Sequence, residues 1–182
     1  MKVLVAFATR HGATEEIAER IASVLTSHGH EAVALPADQV RVVEEYDAVV
    51  LGGAAYMYHW LKPALRFARE QRAALAERPV WLFSSGPLGS EQVDADGTDA
   101  RESARPREFD ELTELLSPRG ERVFFGAFDP AQKPVGLAER LTRAMPAARE
   151  ALPVGDFRDW EDIEDWAGEI AASLGGARSQ DR

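Results

Sequence analysis

Apolar residues fall into two alternating patterns along the chain. Short continuous runs are separated by stretches in which they recur every three or four positions. Residues 2–8 form the first run, the signature of a strand buried on both faces. Ile17, Ile21, Val24 and Leu25 then recur at helical spacing, which predicts a helix over 13–28. Glu15 and Glu16 suit its first turn, and Gly29 suits its stop. Residues 31–36 read as a short edge strand, and 47–53 as a third strand ending in two glycines. A helix starting near Lys62 and Pro63 carries Leu65, Phe67, Ala68 and Leu75. A fourth strand spans 79–85, a short helix 109–116, and a fifth strand 122–128. Leu137, Leu141 and Met145 predict a helix over 135–150. The last helix starts near Asp159 and carries Trp160, Ile163, Trp166, Ala167, Ile170 and Leu174.

Strands that alternate with helices pair in parallel, with helices covering both faces. The reading is an α/β, doubly wound, five-stranded parallel sheet of order 2-1-3-4-5. It forms one domain over residues 1–174. Residues 90–107 are rich in Asp, Glu, Arg, Gly and Ala and form a long inserted loop, and 175–182 form a flexible tail.

Composition narrows the function classes. The 182 residues carry 21 Lys and Arg against 31 Asp and Glu, a net charge of −10. Such a chain is a poor ligand for DNA, RNA or anionic membranes. The absence of cysteine excludes disulfides, thiolate metal sites and a cysteine nucleophile. No apolar stretch approaches a transmembrane length, and the first run has no signal-peptide cleavage pattern. The expected location is cytoplasmic.

Three segments fall at the carboxyl ends of strands one, three and four, where ligands bind in such sheets. The first is Thr9, Arg10, His11, Gly12, Ala13 and Thr14, a turn leading from a strand into a helix N-terminus. Free amides and two hydroxyls there can hold a phosphate, though a tight turn alone would look the same. It has neither the Walker nor the dinucleotide spacing, so one terminal phosphate is the fitting ligand group. The second is Gly53, Ala54, Ala55, Tyr56, Met57, Tyr58, His59 and Trp60. Tyr56, Met57 and Tyr58 offer flat, polarisable walls for a planar heteroaromatic ring, whereas Trp60 reads as packing beneath the loop. The third is Ser84, Ser85, Gly86, Pro87, Leu88 and Gly89, whose backbone donors can follow the polar edge of such a ring.

The 9–14 turn resembles the phosphate loop of flavodoxins, which bind FMN between the loops after strands three and four. Within that superfamily the chain resembles the quinone-dependent, flavodoxin-like protoporphyrinogen IX dehydrogenases. The resemblance rests on the run from Ala8 to Ala18, on Tyr46 and Asp47 before Val49–Gly52, on Gly126 and Ala127, and on Asp159, Trp160 and Glu161. It implies non-covalent FMN held by Thr9–Thr14, Ala54–Tyr58 and Ser85–Gly89, and redox chemistry carried by the flavin. The electron partner is then a redox protein, a quinone or a small substrate. His11 stands where the flavodoxin loop usually has Ser or Thr, and the arginine that the subfamily tends to carry around Tyr56 is absent.

Other residues read as follows. His59 is either a proton relay near the ring or a structural hydrogen-bonding group, and no catalytic side chain is otherwise singled out. His28 and His30 flank Gly29 and are expected at the surface. The acidic run from Asp156 to Glu169 reads as a solvated helix face with Asp159 as N-cap. Trp160 and Trp166 read as core. Three function classes remain open: an FMN-dependent oxidoreductase, a one-electron carrier for a protein partner, and a scaffold that has lost FMN.

Overall fold

The computed structural model describes residues 1–89, 93, 97–132, 135 and 153–177. All but residue 135 of the helix expected over 135–150, most of the 129–154 region and residues 178–182 lie outside them. Five parallel strands form the sheet: β1 (Lys2–Ala8), β2 (Glu31–Pro36), β3 (Ala48–Tyr56), β5 (Val80–Ser85) and β6 (Gly120–Phe124). Their order is β2-β1-β3-β5-β6. This is the expected 2-1-3-4-5 once the two-residue strand β4 (His59–Trp60) is set aside, since β4 only folds back antiparallel on β3.

Alternation along each central strand sends side chains to two separate cores. Val3, Val5, Phe7, Val50, Trp81 and Phe83 face α1 (Ala13–Ser27) and the C-terminal helix, α6 (Trp160–Ala177). Leu4, Ala6, Val49, Leu51 and Leu82 face α2 (Lys62–Glu70), α3 (Arg72–Ala76) and α5 (Glu108–Leu116). Helix α1 buries Ile17, Ile21 and Leu25 and ends at Gly29, whose φ of 84° is the left-handed stop. At the start of α6, Asp159 Oδ1 accepts hydrogen bonds from the Glu161 and Asp162 amides, both 3.1 Å, as an N-cap does.

Several expectations are corrected. The fifth strand stops at Phe124, because Phe125 and Gly126 leave the sheet towards the third loop. The Gly126 amide donates to the Pro87 carbonyl at 2.9 Å. Ala127 and Phe128 form β7 and pair instead with β8 (Gly155–Asp156), antiparallel. The single helix expected from Lys62 is two, α2 and α3, meeting at Gln71. Part of the expected loop is helical, as α4 (Ala100–Ser103), capped by Asp99. Helix α6 continues past Leu174 to Ala177. His30 is only 9 % exposed, because its amide bonds back to the Leu25 carbonyl and draws the residue under the helix end. Trp166 is core, while Trp160 is half-buried between the guanidinium groups of Arg20 and Arg158.

Candidate cofactor site

Register brings the three expected loops together. Ala8 lies beside Gly53, and Gly53 beside Ser84, so β1, β3 and β5 end on one edge.

The first loop turns on Gly12, which has φ 87° and is the N-cap of α1. Thr9 Oγ1 accepts a hydrogen bond from the Gly12 amide at 3.0 Å and closes the turn. The first bond of the helix proper runs from the Glu16 amide to the Gly12 carbonyl, and among the described residues no side chain caps the first turn. Its amides therefore suit an anionic group. Among the described residues, its chain neighbours aside, no atom lies within 4 Å of the place that a Cβ on Gly12 would take. Thr14 is fully buried, and its hydroxyl lies 2.8 Å from that of Ser85, tying the first loop to the third from below. The Arg10 guanidinium sits 4.5 Å over the Tyr56 ring, tying the first loop to the second.

The second loop is a hairpin rather than an irregular crossing. Met57 and Tyr58 form its two-residue turn with φ of 50° and 66°. Both are left-handed, as in the turns that suit tight hairpins, yet neither is a glycine or asparagine. Met57 is 88 % exposed and Tyr58 is 52 % exposed. Trp60 is buried beneath, its Nε1 donating to the Gly53 carbonyl at 2.9 Å and its ring edge-on to Phe109 at 5.3 Å. The two glycines of β3 make room for flat rings on opposite faces. A Cβ on Gly52 would lie 2.0 Å from the Phe83 ring, and one on Gly53 2.7 Å from Trp60.

The third loop faces the hairpin. Ala55, Met57 and Tyr58 on one side, and Gly86, Pro87 and Leu88 on the other, line a cavity of about 370 Å³. Ala100, Ser103 and Ala104 of the inserted segment close a third side. Among the described residues no charged side chain lines this slot. Its uncharged walls suit a planar ring, and the uncapped α1 start beside it suits a phosphate.

The remaining expected residues fall around these features. Ala13 and His11 line a second cavity, of about 330 Å³, beside the α1 start. The Ala13 carbonyl accepts from Arg158 Nη1 at 3.2 Å. Ala54 is buried and its carbonyl holds the Leu61 amide, while Gly89, with φ 112°, lies outside the slot lining. His59 does not line the slot; its Nδ1 lies 2.8 Å from Glu108 Oε1.

Two functional groupings carried no local sequence signal. Arg158, 7 % exposed in its side chain, pairs with Asp156 and Glu16 and so braces the first turn of α1. Its hydrogen bonds to Asp156 hold the guanidinium pKa above, and the Asp156 carboxyl below, their ordinary values. Glu108, the first residue of α5, reaches back to the hairpin: Oε2 accepts from the Trp60 amide at 3.0 Å. Burial pushes the Glu108 carboxyl up, but the Trp60 amide and His59 outweigh it and leave the group below the usual carboxylate value.

A family model described as Flavodoxin domain matches residues 4–145, and the chain belongs to that family. No curated protein matches it by sequence. Solved structures share its fold. A flavodoxin variant from Pseudomonas aeruginosa superposes with a TM-score of 0.59 at 18 % identity, covering 96 % of this chain and 99 % of that one. Oxidised Flavodoxin 1 from Bacillus cereus gives 0.58 at 16 %, covering 94 % and 98 %. A flavodiiron core from Synechocystis gives 0.60 at 14 %, covering 97 % of this chain but 36 % of that one. Among the described residues no helix is long and apolar enough to cross a membrane.

Proposed function

We propose that this chain binds FMN non-covalently and transfers electrons through it. One observation carries the reading. Three loops from adjacent parallel strands bring a helix N-terminus and a ring-sized slot to one sheet edge, with no side-chain cap on the first and no charge on the second among the described residues. Thr9 holds the phosphate turn closed, and the amides after Gly12 would receive the phosphate. Ala55, Met57 and Tyr58 would face one side of the ring, and Gly86, Pro87 and Leu88 the other, while Tyr56 stands outside the slot lining under Arg10. Bound FMN supplies the electron transfer. The residues would bind it and orient it.

The test is retention of flavin. Purified protein incubated with FMN and freed of excess is expected to keep a flavin absorption band in equal stoichiometry. A colourless protein overturns the reading and leaves a scaffold that has lost its cofactor. Resemblance to the protoporphyrinogen IX dehydrogenases sets the first substrate to try. Flavin-dependent oxidation of protoporphyrinogen IX with a quinone acceptor marks an enzyme. Reversible reduction without turnover marks a carrier serving a redox partner protein.

A further inference from the structure

The Met57–Tyr58 turn is in a conformation its residues disfavour. A left-handed backbone costs a side-chain-bearing residue free energy that glycine does not incur, and here two such residues stand in succession. Strain of this kind persists only where surrounding contacts over-determine it. Those contacts come from the start of α5, about fifty residues along the chain. Glu108 places one carboxylate oxygen 2.8 Å from His59 Nδ1 and the other 3.0 Å from the Trp60 amide nitrogen. The Arg107 amide donates to the Tyr58 carbonyl at 3.0 Å. Phe109 meets the Trp60 ring edge-on. Three consecutive residues, 107–109, thus hold the outer side of the hairpin whose inner side lines the slot.

We propose that Glu108 is a positioning residue for the ring half of the FMN site: it keeps the 56–60 hairpin preorganised from outside the slot, and the phosphate half is independent of it. This rests on the FMN reading above. The apparent dissociation constant of a ligand rises in inverse proportion to the fraction of protein in the binding-competent form. Loss of the clamp frees the turn to relax, so ring-bearing ligands weaken while phosphate does not.

The experiment compares three probes on wild type, Glu108→Ala and Glu108→Gln: FMN, riboflavin and inorganic phosphate. Fluorescence titration reads the flavins, and calorimetry reads phosphate. Glu108→Ala is expected to weaken FMN and riboflavin by the same factor, roughly ten-fold, with phosphate unchanged. Glu108→Gln keeps an oxygen acceptor for the Trp60 amide and is expected to fall between wild type and Glu108→Ala. Adding Met57→Asn to Glu108→Ala is expected to restore part of the lost hairpin order, read as slower exchange at the Trp60 amide, because asparagine accepts the left-handed turn. Hydrogen exchange at the Trp60 amide is expected to speed up in Glu108→Ala and much less in Glu108→Gln. Unchanged flavin affinity in Glu108→Ala overturns the proposal. So does an equal loss for all three probes, which marks a merely structural role. Wild type that retains no flavin overturns the site reading itself, and that result precedes any variant.

Discussion

The two loops that frame the candidate site are held in opposite ways. The 9–14 turn closes on its own neighbours, since Gly12 supplies the left-handed residue, Thr9 closes on its amide and α1 begins at once, and Ser85 and Arg158 only add ties around it. The 56–60 hairpin has the same need for left-handed backbone but meets it with Met57 and Tyr58. Its hold comes from Glu108 and the Arg107 amide on another helix. The left-handed turn of the first loop is supplied locally, whereas that of the second depends on a helix start about fifty residues away.

That contrast can be broken from beneath both loops. Gly52→Ala drives a Cβ into the Phe83 ring and is expected to cost about 3 kcal/mol, read as a fall in the urea midpoint. A smaller loss isolates the tie between the first and third loops. Thr14→Val strands the buried Ser85 hydroxyl and is expected to cost about 1–3 kcal/mol. The Thr14→Val/Ser85→Ala double variant is expected to cost less than the sum of the two single changes, and strict additivity would show that the hydroxyls do not interact. Gly12→Ala meets no atom, so its cost is conformational, about 1–2 kcal/mol. Met57→Asn is expected to act in the other direction and stabilise by about 0.5 kcal/mol in thermal unfolding.

The smallest effect is pH-dependent and separates the loops most sharply. The folded Glu108 carboxyl titrates below its unfolded value, so its contribution is complete above the ordinary glutamate pKa, about 4.3. It is lost as pH falls through the lowered folded value. Relative to its intrinsic rate at each pH, amide exchange at Trp60 is expected to accelerate over that acidic window, while the Gly12 amide, held by the Thr9 hydroxyl, keeps its protection. Equal acceleration in both loops would show a global opening instead.

Much of this could be read from the chain because it is locally encoded. Continuous apolar runs marked β1, β3 and β5, and strand order then placed their ends on one edge. The phosphate turn was legible because glycine, threonine and a helix start are adjacent. The hairpin was not, since β4 has only two residues and its turn residues are not turn formers. Glu108 looked like an ordinary acidic residue at a helix start; its role depends on contacts 48 and 49 residues away in sequence. The break after Phe124 was hidden for a similar reason: Phe125 and Gly126 continue the apolar run in sequence, but Gly126 bonds to Pro87 rather than to the sheet.

Trp60 has a practical consequence. Its indole is buried, bonded to Gly53, set against Phe109 and two residues from Tyr58 at the slot wall. The chain therefore carries its own spectroscopic label at the joint between the hairpin and α5. Incorporating 5-fluorotryptophan would label all four tryptophans, and the resonance that disappears in Trp60→Phe would be the one at that joint. Its chemical shift would follow the hairpin's state directly, without a dye, a tag or a change to the backbone.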